Sequence, residues 1–319
     1  MATMLLLGFT AHSQAVNSQM VTTDIPDDNV PNTGISSADI RGTDIPGTGI
    51  KVLTFNLLMH DSSSLGKTFN RLKGLPTVNS RIDAALHFLQ QSNADIIALQ
   101  EATPSFIKRL QQQSWSKHYE ITHTLSATQM HQEFFYQEPY GQVLLSRYSI
   151  DQSHVIPKKA TRLARKLLEN QLTIHNRRWH IFNVHLESLP EDGPRRIQQL
   201  KQVFYRSGLK DNVIVIGDFN FSDGQQPETG YLRTDFIDAW RLIKPSDPGY
   251  TYIEAENGQR LDRILLRCRA CSIKHTETTP PLFFNAEGET QPLSDHQAVI
   301  TTIELLSDRD TPARLSASQ

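Results

Sequence analysis

The chain has 319 residues, enough for one large domain or two small ones. A formal net charge of −2 and a pI near 6.6 exclude a protein that coats nucleic acid through its overall charge, although a local basic groove stays compatible with them. No apolar run reaches the roughly 18 residues that a membrane-spanning helix needs, so we predict no membrane span.

The N-terminal composition predicts a segment outside the folded core. The apolar patch Met4–Phe9 lacks the basic flank and the length of a secretory signal. Residues 16–49 are rich in Asp, Thr, Gly and Pro and poor in aromatic residues. We therefore predict a flexible tail over 1–49, one folded domain over 50–306, and a flexible tail over 307–319. A soluble, cytoplasmic protein is favoured, and the sequence leaves export open.

The first predicted elements are a strand and a helix. The run Ile50–Leu58, "IKVLTFNLL", is typical of a buried strand with a polar end at Asn56. Apolar residues then recur at helical spacing over 79–94, with Asn79 or Ser80 as the N-cap.

The next segments continue the alternation of strands and helices. "DIIALQE" predicts a buried strand that ends at Glu101, and Pro104 is placed to begin a second helix. "GQVLLSR" at 141–147 predicts another strand. Residues 169–188 predict an antiparallel hairpin with its turn at Asn176-Arg177.

The C-terminal half supplies one more helix and three strands. "DGPRRIQQLKQVF" is amphipathic, and "VIVIGDFNF", "RLDRILLR" and "HQAVITTIEL" read as strands. Hairpins mixed with β-α-β passages favour an α/β fold, a four-layer sandwich of two mostly antiparallel sheets packed face to face with outer helices. No glycine-rich phosphate loop follows the first strand, which argues against a dinucleotide-binding fold.

The two cysteines, Cys268 and Cys271, stand three positions apart in a predicted strand. Side chains at that spacing point to opposite faces, which argues against a shared metal ion. One pair makes no disulfide framework, so the redox compartment stays open.

Polar residues stand at the ends of six predicted strands. In isolation each is more often a turn residue, a cap or a solvated side chain than a functional one. Six of them, drawn from the whole domain, predict one convergent site at a single sheet edge. They are Asn56, Glu101, His185, Asp218 with Asn220, Asp262, and Asp295 with His296.

The residue types indicate a particular chemistry. Carboxylates and an amide without a cysteine cluster favour Mg²⁺ or Mn²⁺ over zinc. Histidines among carboxylates suit proton transfer and charge stabilisation at a phosphate. No serine or cysteine nucleophile is indicated, so water is the expected attacker.

The motifs "TFN", "LQE", "NVHLES", "GDFN", "LDRIL" and "LSDH" occur in an order that resembles the endonuclease/exonuclease/phosphatase superfamily, over roughly Ile50 to Leu305. The nearest resemblance is to the 5′-tyrosyl-DNA phosphodiesterases, through "HLES", "RRIQQLK" and "IGDFNFSD". It implies the four-layer sandwich and Mg²⁺- or Mn²⁺-dependent, in-line hydrolysis of a nucleic-acid phosphodiester. Sphingomyelin and inositol phosphates are the alternative substrates within the superfamily.

The resemblance also implies a role for each matching residue. Asp218 would activate water, Asn220 would hold Asp218 and that water, and Asp262 would orient His296. His296 and His185 would contact the phosphate. Metal binding would fall to Glu101, Asn56 and Asp295, and Glu187 and Arg196 would be supporting or DNA-facing residues.

Two interpretations stay open from the residues alone. The cations of 158–166 with Arg177 and Arg178 are either a solvated face or the lining of a polyanion groove. A binding module that kept the fold and lost the chemistry is the rival to an enzyme, but Glu101, Asp218 and His296 are all present. A monomer is favoured.

Overall fold

A computed structural model describes residues 49–59, 78–131, 138–158, 160–252, 257–286 and 289–306. The secondary structure of these residues comprises, in chain order, β1 Gly49–Asn56, α1 Val78–Ser92, β2 Ile96–Ala102, α2 Pro104–Gln111, β3 Glu120–His123, α3 Ala127–His131, β4 Gly141–Ser146, β5 Ile150–Pro157, β6 Lys166–Ile174, β7 Arg177–His185, α4 Gly193–Ser207, β8 Val213–Asp218, β9 Ile237–Asp238, α5 Ala239–Ile243, β10 Asp262–Arg267, β11 Cys271–Thr278, β12 Phe283–Ala286, β13 Glu289–Pro292 and β14 Val299–Leu305.

Twelve of these strands form two six-stranded sheets. Sheet I has the order β11-β14-β1-β2-β4-β3, and sheet II has the order β5-β6-β7-β8-β10-β9. Neighbours are antiparallel except β1 with β2 and β7 with β8. Strands β12 and β13 pair separately as a hairpin.

Three apolar cores separate four layers, because side chains alternate between the two faces of each strand. Along β1, Val52 faces the core between the sheets, whereas Leu53 packs under α1 and α2. Along β8, Ile214 faces the same central core, whereas Val215 packs under α4. The predicted sandwich with outer helices is confirmed.

Some local predictions were wrong. The structure begins α1 at Val78, so Asn79 and Ser80 lie within the helix and are not its cap. The β6–β7 turn lies at His175-Asn176, one residue earlier than predicted. Both turn residues have positive φ, of 46° and 60°, which matches the twist of a two-residue hairpin.

The cysteines do not share a strand. Cys268 follows β10 and Cys271 begins β11, so the two flank the connection between these strands, and their sulfur atoms are bonded to each other. The argument from opposite strand faces therefore does not apply to them.

The predicted tails lie outside the described residues, except that Gly49 belongs to β1. Within the described ranges no helix is both long enough and apolar enough to cross a membrane. The monomeric state and the compartment stay predictions.

Gly217 permits close approach of the two strands at the centre of sheet II. It pairs with Val184 of β7 and has φ 136°, a conformation that side chains rarely adopt. A Cβ atom built there would lie 2.1 Å from the Val184 carbonyl oxygen. Glycine is therefore required one residue before Asp218.

We expect Gly217→Ala to lower the free energy of unfolding by about 3 kcal/mol or more, since the φ strain and the backbone overlap add. Gly230→Ala is the matched control, because its Cβ would meet only Gln226 Oε1 at 3.4 Å. The control should stay within about 1 kcal/mol of the wild type. Equal urea-denaturation midpoints for the two variants would contradict this account.

Candidate functional site

Three neighbouring strands of sheet II bring their polar ends into one row. His185 of β7 pairs in register with Asp218 of β8, and Asp218 pairs with Asp262 of β10. Alternation turns all three side chains towards sheet I, on the same face as Ile216 and Ile264. All three are buried.

Sheet I contributes Asn56 from β1 and Glu101 from β2. Asn56 Nδ2 donates to Asp218 Oδ2 at 3.0 Å and lies 3.5 Å from Glu101 Oε1. Glu101 Oε1 also lies 3.6 Å from His185 Nε2. Carboxylates from both sheets therefore meet around one amide and one imidazole.

The two oxygens of Asp218 have different surroundings. Oδ1 accepts from the Asn220 backbone N–H at 2.8 Å, while Asn220 Nδ2 donates to the Leu186 carbonyl at 3.0 Å. Oδ2 faces the site, where it accepts from Asn56 and lies 3.5 Å from His185 Nε2. The loop after β8 thus fixes one oxygen and leaves the other directed at the reaction space.

Burial raises the pKa of Asp218 to about 6. The charge of His296 opposes this effect, the charge of Asp262 adds to it, and the hydrogen bonds from Asn220 and Asn56 oppose it. A carboxylate with this pKa accepts a proton more readily than an exposed aspartate does.

His296 is paired with Asp262. Its Nδ1 lies 2.7 Å from Asp262 Oδ2, and its Nε2 lies 3.9 Å from Asp218 Oδ2. The Asp262 backbone N–H donates to Thr251 Oγ1 at 3.1 Å, and the Tyr252 ring lies 5.3 Å from the imidazole. The orientation of the imidazole is therefore fixed on two sides.

The pKa of His296 reflects two opposing effects. Burial lowers it, but the charges of Asp262, Asp218 and Asp295, together with the hydrogen bond to Asp262, raise it to about 10. The imidazole is thus a cation at neutral pH, with Nε2 carrying a proton that faces Asp218. Asp295 itself is half-buried, and its Oδ1 accepts from Ser294 Oγ at 3.3 Å.

His185 is held by two cations that the sequence presented only as part of a charge run. Arg165 lies 2.6 Å from His185 Nδ1, and Lys158 Nζ donates to the His185 carbonyl at 2.7 Å. A guanidinium has donors only, so Nδ1 must accept and the ring proton lies on Nε2. That proton points towards Glu101 and Asp218.

The interpretation as a solvated face does not fit Lys158 and Arg165, because both are buried. Burial and the charge of Arg165 hold the pKa of Lys158 well below its usual range. Arg162 is exposed and bonds Glu191 and Asp192, each at 3.1 Å. The interpretation as a groove lining also includes Lys159, which lies outside the described residues.

Beside His185 the surface opens into a cleft of about 330 Å³. Its lining includes Tyr140, Arg165 and Lys166, and Arg165 stacks over the Tyr140 ring at 5.4 Å. One wall of the cleft is therefore cationic, and His185 connects the cleft to the site.

Arg196 and Glu187, predicted as supporting or DNA-facing residues, both bond other parts of the protein. Arg196 is 1% exposed and bonds Glu228 Oε1 through two nitrogens, at 2.9 and 2.7 Å. Glu187 is 0% exposed and accepts from Thr161 Oγ1 at 2.5 Å and from the Arg162 N–H at 2.9 Å. Both fix the loops around the end of β7, which agrees with a supporting position, and their role in the site stays a prediction.

The site has the donor set that a divalent cation needs. Ligand atoms of Asp218, Asp262 and His296 lie within 4.8 Å of one another, in a grouping that could hold a metal ion. Glu101 and Asp295 add two further carboxylates. In the described part of the chain, Asp262 Oδ1 is buried without a hydrogen-bond partner, so this oxygen could still accept a bond from a ligand. Hard oxygen donors in excess fit Mg²⁺ or Mn²⁺.

Sequence comparison matches the chain to the Endonuclease/Exonuclease/phosphatase family over residues 53–296, which is most of the chain. This chain belongs to that family. Tyrosyl-DNA phosphodiesterase 2 of Homo sapiens is 26% identical over 211 residues, which cover 61% of this chain and 55% of the human protein. The chain thus spans about half the length of the curated relatives that it matches.

Solved structures support the same fold. The crystal structure of Danio rerio tyrosyl-DNA phosphodiesterase 2 with a single-stranded DNA product has a TM-score of 0.65 at 20% identity, covering 80% of this chain and 99% of that one. A humanised form of the Danio rerio protein, with 14 mutations, gives a TM-score of 0.64 at 21% identity, covering 81% and 100%. At 20–21% identity, these similarities support the fold of the present chain.

We expect the His296–Asp262 pair to make stability pH-dependent in the metal-free protein. Because the folded-state pKa of His296 lies above its ordinary value of 6.5, the stabilisation is complete below that pH and is lost as pH rises through about 10. Asp262→Asn should lower the pKa of His296 and flatten this decline. Urea unfolding in a chelator at pH 6.5 to 10, with NMR titration of His296, measures both effects. Parallel stability curves for variant and wild type would refute the assignment.

Proposed function

We propose that this protein is a metal-dependent phosphodiesterase acting on nucleic acid, with 5′-tyrosyl DNA as the first candidate substrate. The observation that carries the proposal is the environment of Asp218 Oδ2. It lies 3.0 Å from Asn56 Nδ2, 3.5 Å from His185 Nε2 and 3.9 Å from His296 Nε2. One proton acceptor is thus surrounded by donors suited to a phosphate.

In the proposed reaction Asp218 takes the proton of a water molecule whose oxygen attacks phosphorus in line with the leaving oxygen. The new oxygen–phosphorus bond forms as the bond to the leaving group breaks. Asn220 holds the Asp218 loop through its backbone N–H and its bond to the Leu186 carbonyl. The raised pKa of Asp218 supports its role as the base.

The two histidines are proposed as phosphate contacts. His296, protonated and oriented by Asp262, would donate from Nε2 to an oxygen on which negative charge develops. His185 would donate from its own Nε2, since Arg165 occupies Nδ1. Asp262 would act through His296 in the manner of a carboxylate that orients a catalytic imidazole.

Glu101 and Asn56 are proposed to hold the divalent ion, with Asp295 at the edge of its site. The alternative grouping of Asp218, Asp262 and His296 suits an ion less well, because His296 and Asp262 already bond each other. When bound, Mg²⁺ or Mn²⁺ would neutralise phosphate charge and stabilise the leaving oxygen.

The substrate class is supported by the relatives. The curated relatives are tyrosyl-DNA phosphodiesterase 2 proteins, and the Danio rerio protein has been crystallised with a single-stranded DNA product. The cleft beside His185 supplies a cationic wall for such a strand through Arg165 and Lys166.

We expect Asp218→Asn to lower kcat by about 10²- to 10⁴-fold, because the base is lost. Its thermal stability in a chelator should equal or exceed that of the wild type, since a buried charge is removed. Asp211→Asn is the control, as Asp211 is 56% exposed and pairs only with Arg269 among the ion pairs of the described residues. Full activity of Asp218→Asn would exclude its role as the base.

Metal removal and a substrate panel test the remaining parts of the proposal. A chelator should abolish hydrolysis, and Mg²⁺ or Mn²⁺ should restore it. Under Mg²⁺, 5′-phosphotyrosyl DNA should be cleaved faster than abasic duplex, poly(A), sphingomyelin or inositol phosphates. Preference for the lipid or an inositol phosphate would overturn the nucleic-acid assignment and leave the phosphodiesterase, whereas undiminished activity in the chelator would overturn the metal dependence.

A further inference from the structure

The Glu101 side chain points to the opposite face of β2 from the one that regular strand alternation would give it. In β2, Ile97 and Leu99 pack outward under the helices, so the next odd position should point outward as well. The Glu101 carboxylate instead lies 3.6 Å from His185 Nε2 of the opposite sheet. The backbone explains this, because the β2–β4 register shifts between Leu99 and Ala102 and Glu101 has φ 57°.

A left-handed glutamate is strained and persists only where its surroundings fix it. The side chain of Asn183, on β7 of sheet II, extends to the β2–β4 bulge of sheet I. Its Nδ2 donates to the carbonyls of Leu99 at 3.0 Å and Val143 at 2.9 Å, one on each strand beside the bulge. Gln100 Nε2 donates to Asn183 Oδ1 at 2.8 Å.

We propose that Gln100 and Asn183 form an inter-sheet clamp that positions Glu101 for catalysis; the role rests on the proposed function. Asn183 lies two residues before His185 on the same face of β7, and His185 pairs in register with Asp218. The clamp therefore joins the bulge of sheet I to the strand that sets the position of the sheet II residues.

The polarity of the clamp argues for a positioning role. Both amides are 0% exposed, next to apolar residues of the central core such as Ile96 and Ile181. Buried amides stabilise little more than well-packed apolar side chains, but their directional bonds specify one arrangement. Here the bonds specify the bulge that redirects Glu101.

A second polar pair between the sheets provides a matched control. Thr122 Oγ1 of β3 donates to Asn170 Oδ1 of β6 at 2.9 Å, and Asn170 is also 0% exposed. Asn170 pairs with Ile181, four residues before His185, which places it roughly 13 Å from the site along the strand. Loss of this pair removes a buried amide without touching the bulge, although Asn170 makes one side-chain hydrogen bond and Asn183 makes three.

The experiment compares Asn183→Leu with Asn170→Leu in the full chain. Asn183→Leu should lose more thermal stability than Asn170→Leu, because it removes three side-chain hydrogen bonds instead of one. The readouts that decide the proposal are therefore metal binding and turnover. Only Asn183→Leu should weaken Mn²⁺ binding, followed by electron paramagnetic resonance, and lower kcat on bis(4-nitrophenyl) phosphate, each by about 10- to 100-fold. KM should change less than kcat, since the clamp acts on the metal-proximal carboxylate.

Gln100→Met tests the other half of the clamp. It also replaces Asn183→Leu in the test if that variant does not fold. It should weaken Mn²⁺ binding in the same direction, and in the double variant the two effects should not add. The proposal is overturned if the Asn183 and Gln100 variants bind Mn²⁺ and turn over as Asn170→Leu does.

A structural measurement separates this proposal from the proposed function. If the wild type neither binds Mn²⁺ nor hydrolyses a phosphodiester, the proposed function fails, and with it the catalytic role of the clamp. If the wild type is active, a crystal structure of Asn183→Leu, or of Gln100→Met, should show Glu101 out of the left-handed region and its carboxylate moved from His185. An active wild type and a variant crystal structure with Glu101 unmoved would overturn the clamp alone.

Discussion

Every feature of the site depends on keeping carboxylates buried beside one another. Asp218 is almost fully buried, and its Oδ2 is shared by Asn56, His185 and His296. Isolated in an apolar interior, such a charge would be lost to protonation. The cationic imidazole of His296 offsets part of this cost, and a divalent ion held by the neighbouring carboxylates would offset more.

The register of sheet II places these charged groups next to one another. His185, Asp218 and Asp262 stand side by side because their strands pair in register, so two correct pairings, β7 with β8 and β8 with β10, place all three. Glu101 is different, because only an irregularity in β2 brings it to them. The regular part of the fold thus places most of the site, and one local departure from regularity completes it.

The sequence predicted what depends on periodicity and order. Continuous apolar runs identified the central strands, and their polar ends identified the residues that the structure brings together. It could not predict features that depend on tertiary surroundings. Lys158 and Arg165 are buried behind His185, although charged residues are usually exposed. Arg196 is buried against Glu228, which belongs to none of the motifs. The bulge at Glu101 leaves no signature, since glutamate is not typical of left-handed backbone. The roles assigned to the site residues stay proposals.

The pairing of β1 with β14 has a consequence for how the chain folds. Thr54 lies opposite Val299, so strands near the two ends of the domain are neighbours in the middle of sheet I. Closing so large a loop is slow, because its entropy is lost before the contacts form. During synthesis His296 leaves the ribosome only just ahead of β14, so a nascent chain holds the other site residues without a finished centre. The site is therefore completed late, once both ends of the domain have met.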